Sequence, residues 1–292
     1  MQCSVFAPSH ITGFFEIKKH HEVLLSGSRG AGVTLDQGVL TRVSVDEGDG
    51  KFKIFVNSQI QADQSFISKI VMDLLEKRSY PLNLAHFDIQ IEHEHKVPVG
   101  SGFGVSAACA LGTSLGISSA IKLPLTFNQA CEVAHHAELE LGSGLGDVMG
   151  EVQGGIVLRL KEGPPGWGQS DRILVDNELY IISRTLGEIE TAGIINSPQH
   201  QARINQAGSK LLPLLLKNPT PSRFMSLSRR FAEETQLMDG ELKEIVEIMD
   251  EESLGASMAM LGRTAFSISS TPDTSIENAL VSRLDKFGCR FL

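Results

Sequence analysis

Two glycine-rich segments carry the residues best suited to chemistry. The first runs Pro98-Val99-Gly100-Ser101-Gly102-Phe103-Gly104-Val105-Ser106-Ala107-Ala108. Glycines at alternate positions let backbone N–H groups approach a ligand closely and adopt positive φ. A helix expected over residues 105–121 turns its unpaired N–H groups and the positive end of its dipole toward the same point. Together these features suit an anion, phosphate above all. Ser106, in the helix's first turn, could donate to a phosphate oxygen or ligate Mg²⁺. A tight strand-to-helix turn without a ligand shares the bare GxGxG pattern, so the loop alone leaves both readings open.

The second segment runs from Ala134 to Asp147 and contains Glu138 and the loop Gly142-Ser143-Gly144-Leu145-Gly146. Asp147 directly follows that loop, and Glu138 sits near the end of the helix that leads into it. One carboxylate could take Mg²⁺ through oxygen, the other a substrate proton. Taken alone, Asp147 could equally cap a short helix and Glu138 lie on a solvated face. Two familiar phosphate loops fit poorly. The pattern GxxxxGK[ST] fails because no Lys precedes Ser106. Gly102, Gly104 and Ala107 meet GxGxxA, but a second helix, and not an acid-bearing strand, follows the first.

The surrounding elements read as mixed α+β with two layers in each half. Strands are expected over residues 33–45 and 52–56, joined as a hairpin through Gly48-Asp49-Gly50. Residues 64–77 have helical period. Residues 86–96 alternate as a half-exposed antiparallel strand. Thr126 and Gln129 form a capping-box pattern for a helix to about Leu141. Gly163-Pro164-Pro165-Gly166 is the strongest break, which divides the chain into domains 1–165 and 166–292. Beyond it, strands are expected at 179–183, 256–261, 264–269 and 287–291. Helices are expected at 198–216 and 221–238, each opened by a proline, and at 240–251 and 275–284.

Composition limits the partners. Among 292 residues, 26 Lys and Arg against 35 Asp and Glu give a net charge of −9. An acidic chain of this kind is ill suited to coat nucleic acid or an anionic membrane. Four scattered cysteines without a CxxC pair fit free thiols in a reducing cytoplasm. No signal peptide is read at the N-terminus. Residues 97–121 carry no charge, yet their glycines and hydroxyl residues argue for a loop and a buried helix instead of a membrane span.

The combination resembles the GHMP small-molecule kinases. Pro98 to Ala108 resembles their phosphate-binding motif. Ala7-Pro8-Ser9-His10 is similar to their opening Ala-Pro-Gly-Lys, with His10 where most members have Lys. Ala134 to Glu138 resembles the helix that supplies a Mg²⁺ ligand. Gly144-Leu145-Gly146-Asp147, followed by Gly154-Gly155, resembles the segment bearing the catalytic aspartate. Residues 7–15, 27–33, 144–148 and 257–262 are similar to the archaeal branch that phosphorylates pantoate in coenzyme A synthesis.

The resemblance implies a two-domain GHMP kinase fold, with an N-terminal domain like ribosomal protein S5 and a ferredoxin-like α/β C-terminal domain. It implies ATP on the loop at Pro98, Gly100, Ser101, Gly102, Phe103, Gly104, Ser106 and Ala107. Mg²⁺ would lie between Ser106 and Glu138, and Asp147 would serve the attacking hydroxyl. A pantoate site needs a cation for the carboxylate and an apolar wall for the dimethyl group. Arg29 is the first candidate for the cation, with His10, Thr12 and Arg203 as further ones; Phe14 or Phe15 could form the wall. The expected setting is the cytoplasm, with no nucleic-acid or membrane partner and with room for a homodimer.

Overall fold

The computed structural model describes residues 1–61, 67–78, 83–187, 193 and 197–292. Its frame is a long antiparallel pair, β1 (Gln2–Lys18) and β2 (Gly27–Glu47). β1 is buried almost without interruption from Ala7 to Ile17 because both its faces are covered. Helices α2 (Val105–Ala120) and α4 (Asp147–Gln153) pack on it from the N-terminal half. Helices α5 (Pro198–Lys217) and α6 (Pro221–Thr235) pack on it from the C-terminal half. A strand covered on both faces reads as a continuous apolar run, not an alternating one.

The sheet continues from β2 to β5 (Phe87–His95), β3 (Phe52–Val56) and β4 (Gln59–Gln61). β2 forks. Residues 39–47 pair with β5, whereas residues 30–33 pair with β6 (Ile156–Lys161), which in turn pairs with β7 (Gln169–Ile173). The C-terminal strand β12 (Arg290–Phe291) returns to pair with β1. The first sheet therefore runs past residue 165 and takes back the end of the chain.

The expected hairpin around Gly48 is not formed. β5 lies between β2 and β3, and β3 runs parallel to it. The parallel pair requires a crossover, which α1 (Ile67–Arg78) supplies. The helix was expected from Gln64; residues 62–66 lie outside the described residues.

α2 explains the charge-free stretch. It is buried on nearly all sides, under β1 and β2 and against α1 and α3 (Phe127–Leu141). Gly112 and Gly116 face Thr41 and Val43 of β2 at distances that leave no room for a Cβ, so the helix lies close on the sheet. α3 begins at the expected capping box, with both Thr126–Gln129 hydrogen bonds present.

The second sheet has the order β11 (Leu280–Arg283), β8 (Tyr180–Gly187), β10 (Arg263–Ser269), β9 (Ala256–Met258). α6 and α7 (Gly240–Glu251) pack on β9 and β10. β9 ends three residues earlier than expected, because residues 259–262 turn toward the N-terminal half. The helix expected at 275–284 is absent. Asn278 has a left-handed φ of 55°, Glu252 holds Thr274 and Ser275, and residues 280–283 pair with β8. Ladder bonds outweigh a helical spacing that only Ile276, Ala279 and Leu280 sustain.

Candidate active site

The loop of residues 97–104 follows β5 and opens α2. Gly100, Gly102 and Gly104 take φ of 72°, 89° and 69°, values an L-residue rarely adopts. Both halves of the molecule anchor the loop. The His10 backbone N–H donates to Phe103 O at 3.0 Å. Thr264 Oγ1 donates to Ser101 O at 2.8 Å, and Gly262 packs directly on the Ser101 backbone. The α2 N-terminus therefore points into a fixed cavity.

The cavity has a volume of about 570 Å³, within the range of small-molecule sites. Its lining includes Val56, Ile67, His95, Val99, Thr12, Phe15, Ser28, Leu145, Met260 and Arg159. Gly100, Gly102, Phe103, Gly104, Ser106, Glu138 and Asp147 line it as well. Pro98, Ser101 and Ala107 do not line it. Ser101 and Ala107 are buried and shape the loop and helix from behind.

Glu138 is delivered by the last turn of α3. Its Oε1 accepts from Ser106 Oγ at 2.5 Å and from Ser143 Oγ at 2.7 Å. Burial, with the nearby Asp147 charge, raises its carboxyl to about 7, although the two serine hydroxyls pull the other way. Ser106 and Glu138 are thus a preformed oxygen pair. Among the described residues no three His, Cys, Asp or Glu side chains converge on a metal position. An ion held by one carboxylate and one hydroxyl must complete its shell with phosphate oxygens and water, which is how Mg²⁺ commonly binds. The residues fit the expected Mg²⁺.

Asp147 opens α4 and faces the cavity. Its Oδ1 lies 2.7 Å from His10 Nδ1. Burial would raise the Asp147 carboxyl, but the His10 hydrogen bond, the Arg159 charge and Thr12 outweigh it and hold the group below the usual carboxylate range. His10 itself is fully buried and does not line the cavity. Its ring is clasped by Gly32 and Gly150, where a Cβ would collide with the imidazole. His10 Nε2 lies 3.3 Å from Arg159 Nη1. Burial lowers the His10 pKa against the pull of Asp147.

Other expected acceptor residues fall elsewhere. Thr12 and Phe15 line the cavity, while Phe14 is buried against Phe224. Arg29 does not reach the cavity. Side chains alternate along β2, so Ser28 faces inward and Arg29 turns to Glu16 at 3.4 Å. Arg203 lies on α5, half-buried and outside the cavity lining, with its Nη1 donating to Gln236. His10, outside the cavity lining, contacts Asp147.

The cation inside the cavity is Arg159, which the motif reading missed. It is fully buried on β6, and burial lowers its pKa only to about 10, so it remains charged at neutral pH. Among the described residues its Nε has no hydrogen-bond partner; it approaches Gly146, as Ser28 Oγ does. The available signal was an Arg within the apolar run Ile156-Val157-Leu158-Arg159-Leu160, since Arg is almost never fully buried without a task. Glu151 is also buried, one helical turn below Asp147 and packed on Gly104. Among the described residues neither of its carboxyl oxygens has a hydrogen-bond partner, and burial, with the nearby Asp147 and Glu138 charges, pushes its pKa well above the usual carboxylate range.

Comparison with known proteins agrees with this geometry. Residues 65–155 match the GHMP kinases N-terminal domain. The pantoate kinase of Methanocaldococcus jannaschii is 37% identical over 276 residues, covering 94% of this chain and 95% of that protein. The pantoate kinase of Thermococcus kodakarensis is 35% identical, covering 92% of this chain and 88% of that one. A solved structure described as a phosphotransferase related to the coenzyme A biosynthesis pathway superposes with a TM-score of 0.87, at 31% identity, over 100% of this chain and 99% of that one. The chain is a small-molecule kinase that belongs to the GHMP kinase family, in the branch of the pantoate kinases.

Proposed function

We propose that this enzyme transfers the γ-phosphoryl group of ATP to the primary hydroxyl of pantoate. The observation that carries the reading is one cavity lined together by the glycine loop, Asp147 and the buried Arg159. The triphosphate lies across the loop and the α2 N-terminus, where backbone N–H groups are free to donate. Mg²⁺, when bound, neutralises charge developing on the phosphates. Ser106 and Glu138 are the residues that would hold it.

The acceptor occupies the part of the cavity lined by Thr12, Phe15, Ser28, Leu145 and Met260. Its carboxylate takes the Arg159 guanidinium and Ser28, a charge-assisted contact that directs a negative group into a cavity already bearing two carboxyls. Its dimethyl group meets Phe15, Leu145 and Met260. That orientation turns the hydroxyl toward Asp147. The hydroxyl oxygen bonds to the γ-phosphorus, the bond to the departing ADP oxygen breaks, and the hydroxyl proton passes to Asp147. Phosphoryl transfer depends mainly on positioning and charge stabilisation, so a carboxylate held ionised and fixed in direction by His10 suffices. A ³¹P NMR spectrum of the enzyme with ATP, Mg²⁺ and pantoate should show a phosphomonoester coupled to one CH₂ group. ADP and inorganic phosphate as the only new signals refute the reading.

A further inference from the structure

The environment of His10 sets its protonation form. Arg159 carries only N–H donors. With Arg159 Nη1 at 3.3 Å, His10 Nε2 must supply the lone pair. The ring proton then resides on Nδ1, directed at Asp147 Oδ1 2.7 Å away. The groups facing the ring leave no alternative. Asp147 comes from α4 and Arg159 from β6, while Gly32 of β2 and Gly150 of α4 close the two ring faces without a charge. A second proton on Nε2 would meet the Arg159 cation head-on.

We propose that His10 is a positioning residue that works as a neutral Nδ1–H donor, its tautomer fixed by Arg159, and that the chain Arg159–His10–Asp147 ties the acceptor's cation to the orientation of the base. A Lys at this position would place a cation directly beside the aspartate. Here the charge is one residue further away, on Arg159, and the imidazole transmits direction without neutralising Asp147. Asp147 therefore keeps more of its capacity to accept the hydroxyl proton than it would beside an ammonium group. An acceptor carboxylate that draws Arg159 toward itself also acts on the far end of this chain. The idea rests on the reading of Asp147 as the base, but the tautomer is measurable without it.

Selective ¹⁵N-histidine labelling and long-range ¹H–¹⁵N spectra read the tautomer directly. The chain has nine histidines, and His10 is assigned as the signal lost in His10→Asn. We expect one neutral ring, protonated on Nδ1, unchanged from pH 6 to 9. A proton on Nε2, or a ring that titrates between pH 6 and 7.5, overturns the proposal. In kinetics, His10→Ala should lower kcat roughly ten- to a hundredfold, the scale of a hydrogen bond to a charged group, with KM for ATP within threefold of wild type. His10→Asn places an amide N–H near Nδ1 and should recover most of that loss. A KM for ATP that rises as much as kcat falls, or no recovery with Asn, contradicts a positioning role. If Asp147→Asn kept full turnover while the tautomer stood, the assignment of the base would fail and the hydrogen-bond chain would not.

Discussion

Glu138 Oε2 and Asp147 Oδ2 face each other across Gly144. A Cβ on Gly144 would overlap Glu138 Oε2 and press on Asp147 Oδ2 at 3.2 Å. The glycine is the gap in which a cation and a transferring phosphoryl group meet the two carboxylates. Gly144→Ala should leave the fold intact, because the Glu138 carboxylate is the mobile end of a side chain and can swing away. The same movement takes it from Ser106. The expected result is a normal melting temperature with a large loss of Mg²⁺-dependent turnover. Full activity in that variant would show that the gap is not used.

Glu138 couples stability to pH. Its carboxyl lies near 7 in the folded chain against 4.5 for the free group. The folded state thus binds the proton more tightly, and stability falls as pH rises from about 4.5 through 7. The shift corresponds to roughly 2–4 kcal/mol. In the absence of metal and nucleotide, Glu138→Gln should lose less stability than wild type between pH 5 and 8, although its turnover falls. Parallel stability curves for the two proteins would mean that Glu138 is already ionised at pH 5.

Asp147→Asn keeps the size of the side chain and the position of α4. It should bind ATP normally and lose turnover by roughly 10²–10⁴, the scale of a positioned base. Calorimetry for binding and ADP release for turnover separate the two effects. Near-normal turnover would remove Asp147 from the mechanism.

Arg159→Lys retains a cation in the buried site but loses the planar fork. KM for the acceptor should rise by about ten- to a hundredfold, and KM for ATP should stay within threefold. Arg29→Ala should change neither, since Arg29 is engaged in a partly exposed ion pair with Glu16. A larger acceptor effect for Arg29 than for Arg159 would reverse the assignment.

The contrast between these two arginines shows what was legible in the sequence. Ser106, Glu138 and Asp147 stand in local motifs, where glycine spacing and a helix start announce their chemistry. Residues 105–120 and 127–141 were equally plain, because caps and period are short-range signals. Arg159 belongs to no motif. Its place beside Asp147 follows from β6 pairing with β2, a long-range ladder that local pattern does not encode. The enclosure of His10 by Gly32 and Gly150, which keeps its ring out of the cavity lining, is likewise a long-range packing fact. Asp36 and residues 280–284 tell the same story: the end of the chain returns to β2 and takes strand form where local spacing suggested a helix.

The most direct test is ADP release with a panel of alcohols under identical ATP and Mg²⁺. Pantoate should stimulate release well above homoserine, shikimate and mevalonate, and Arg159→Lys should abolish most of that preference by raising the KM for pantoate. No stimulation by pantoate, with strong stimulation by another alcohol in the panel, would contradict the assigned acceptor.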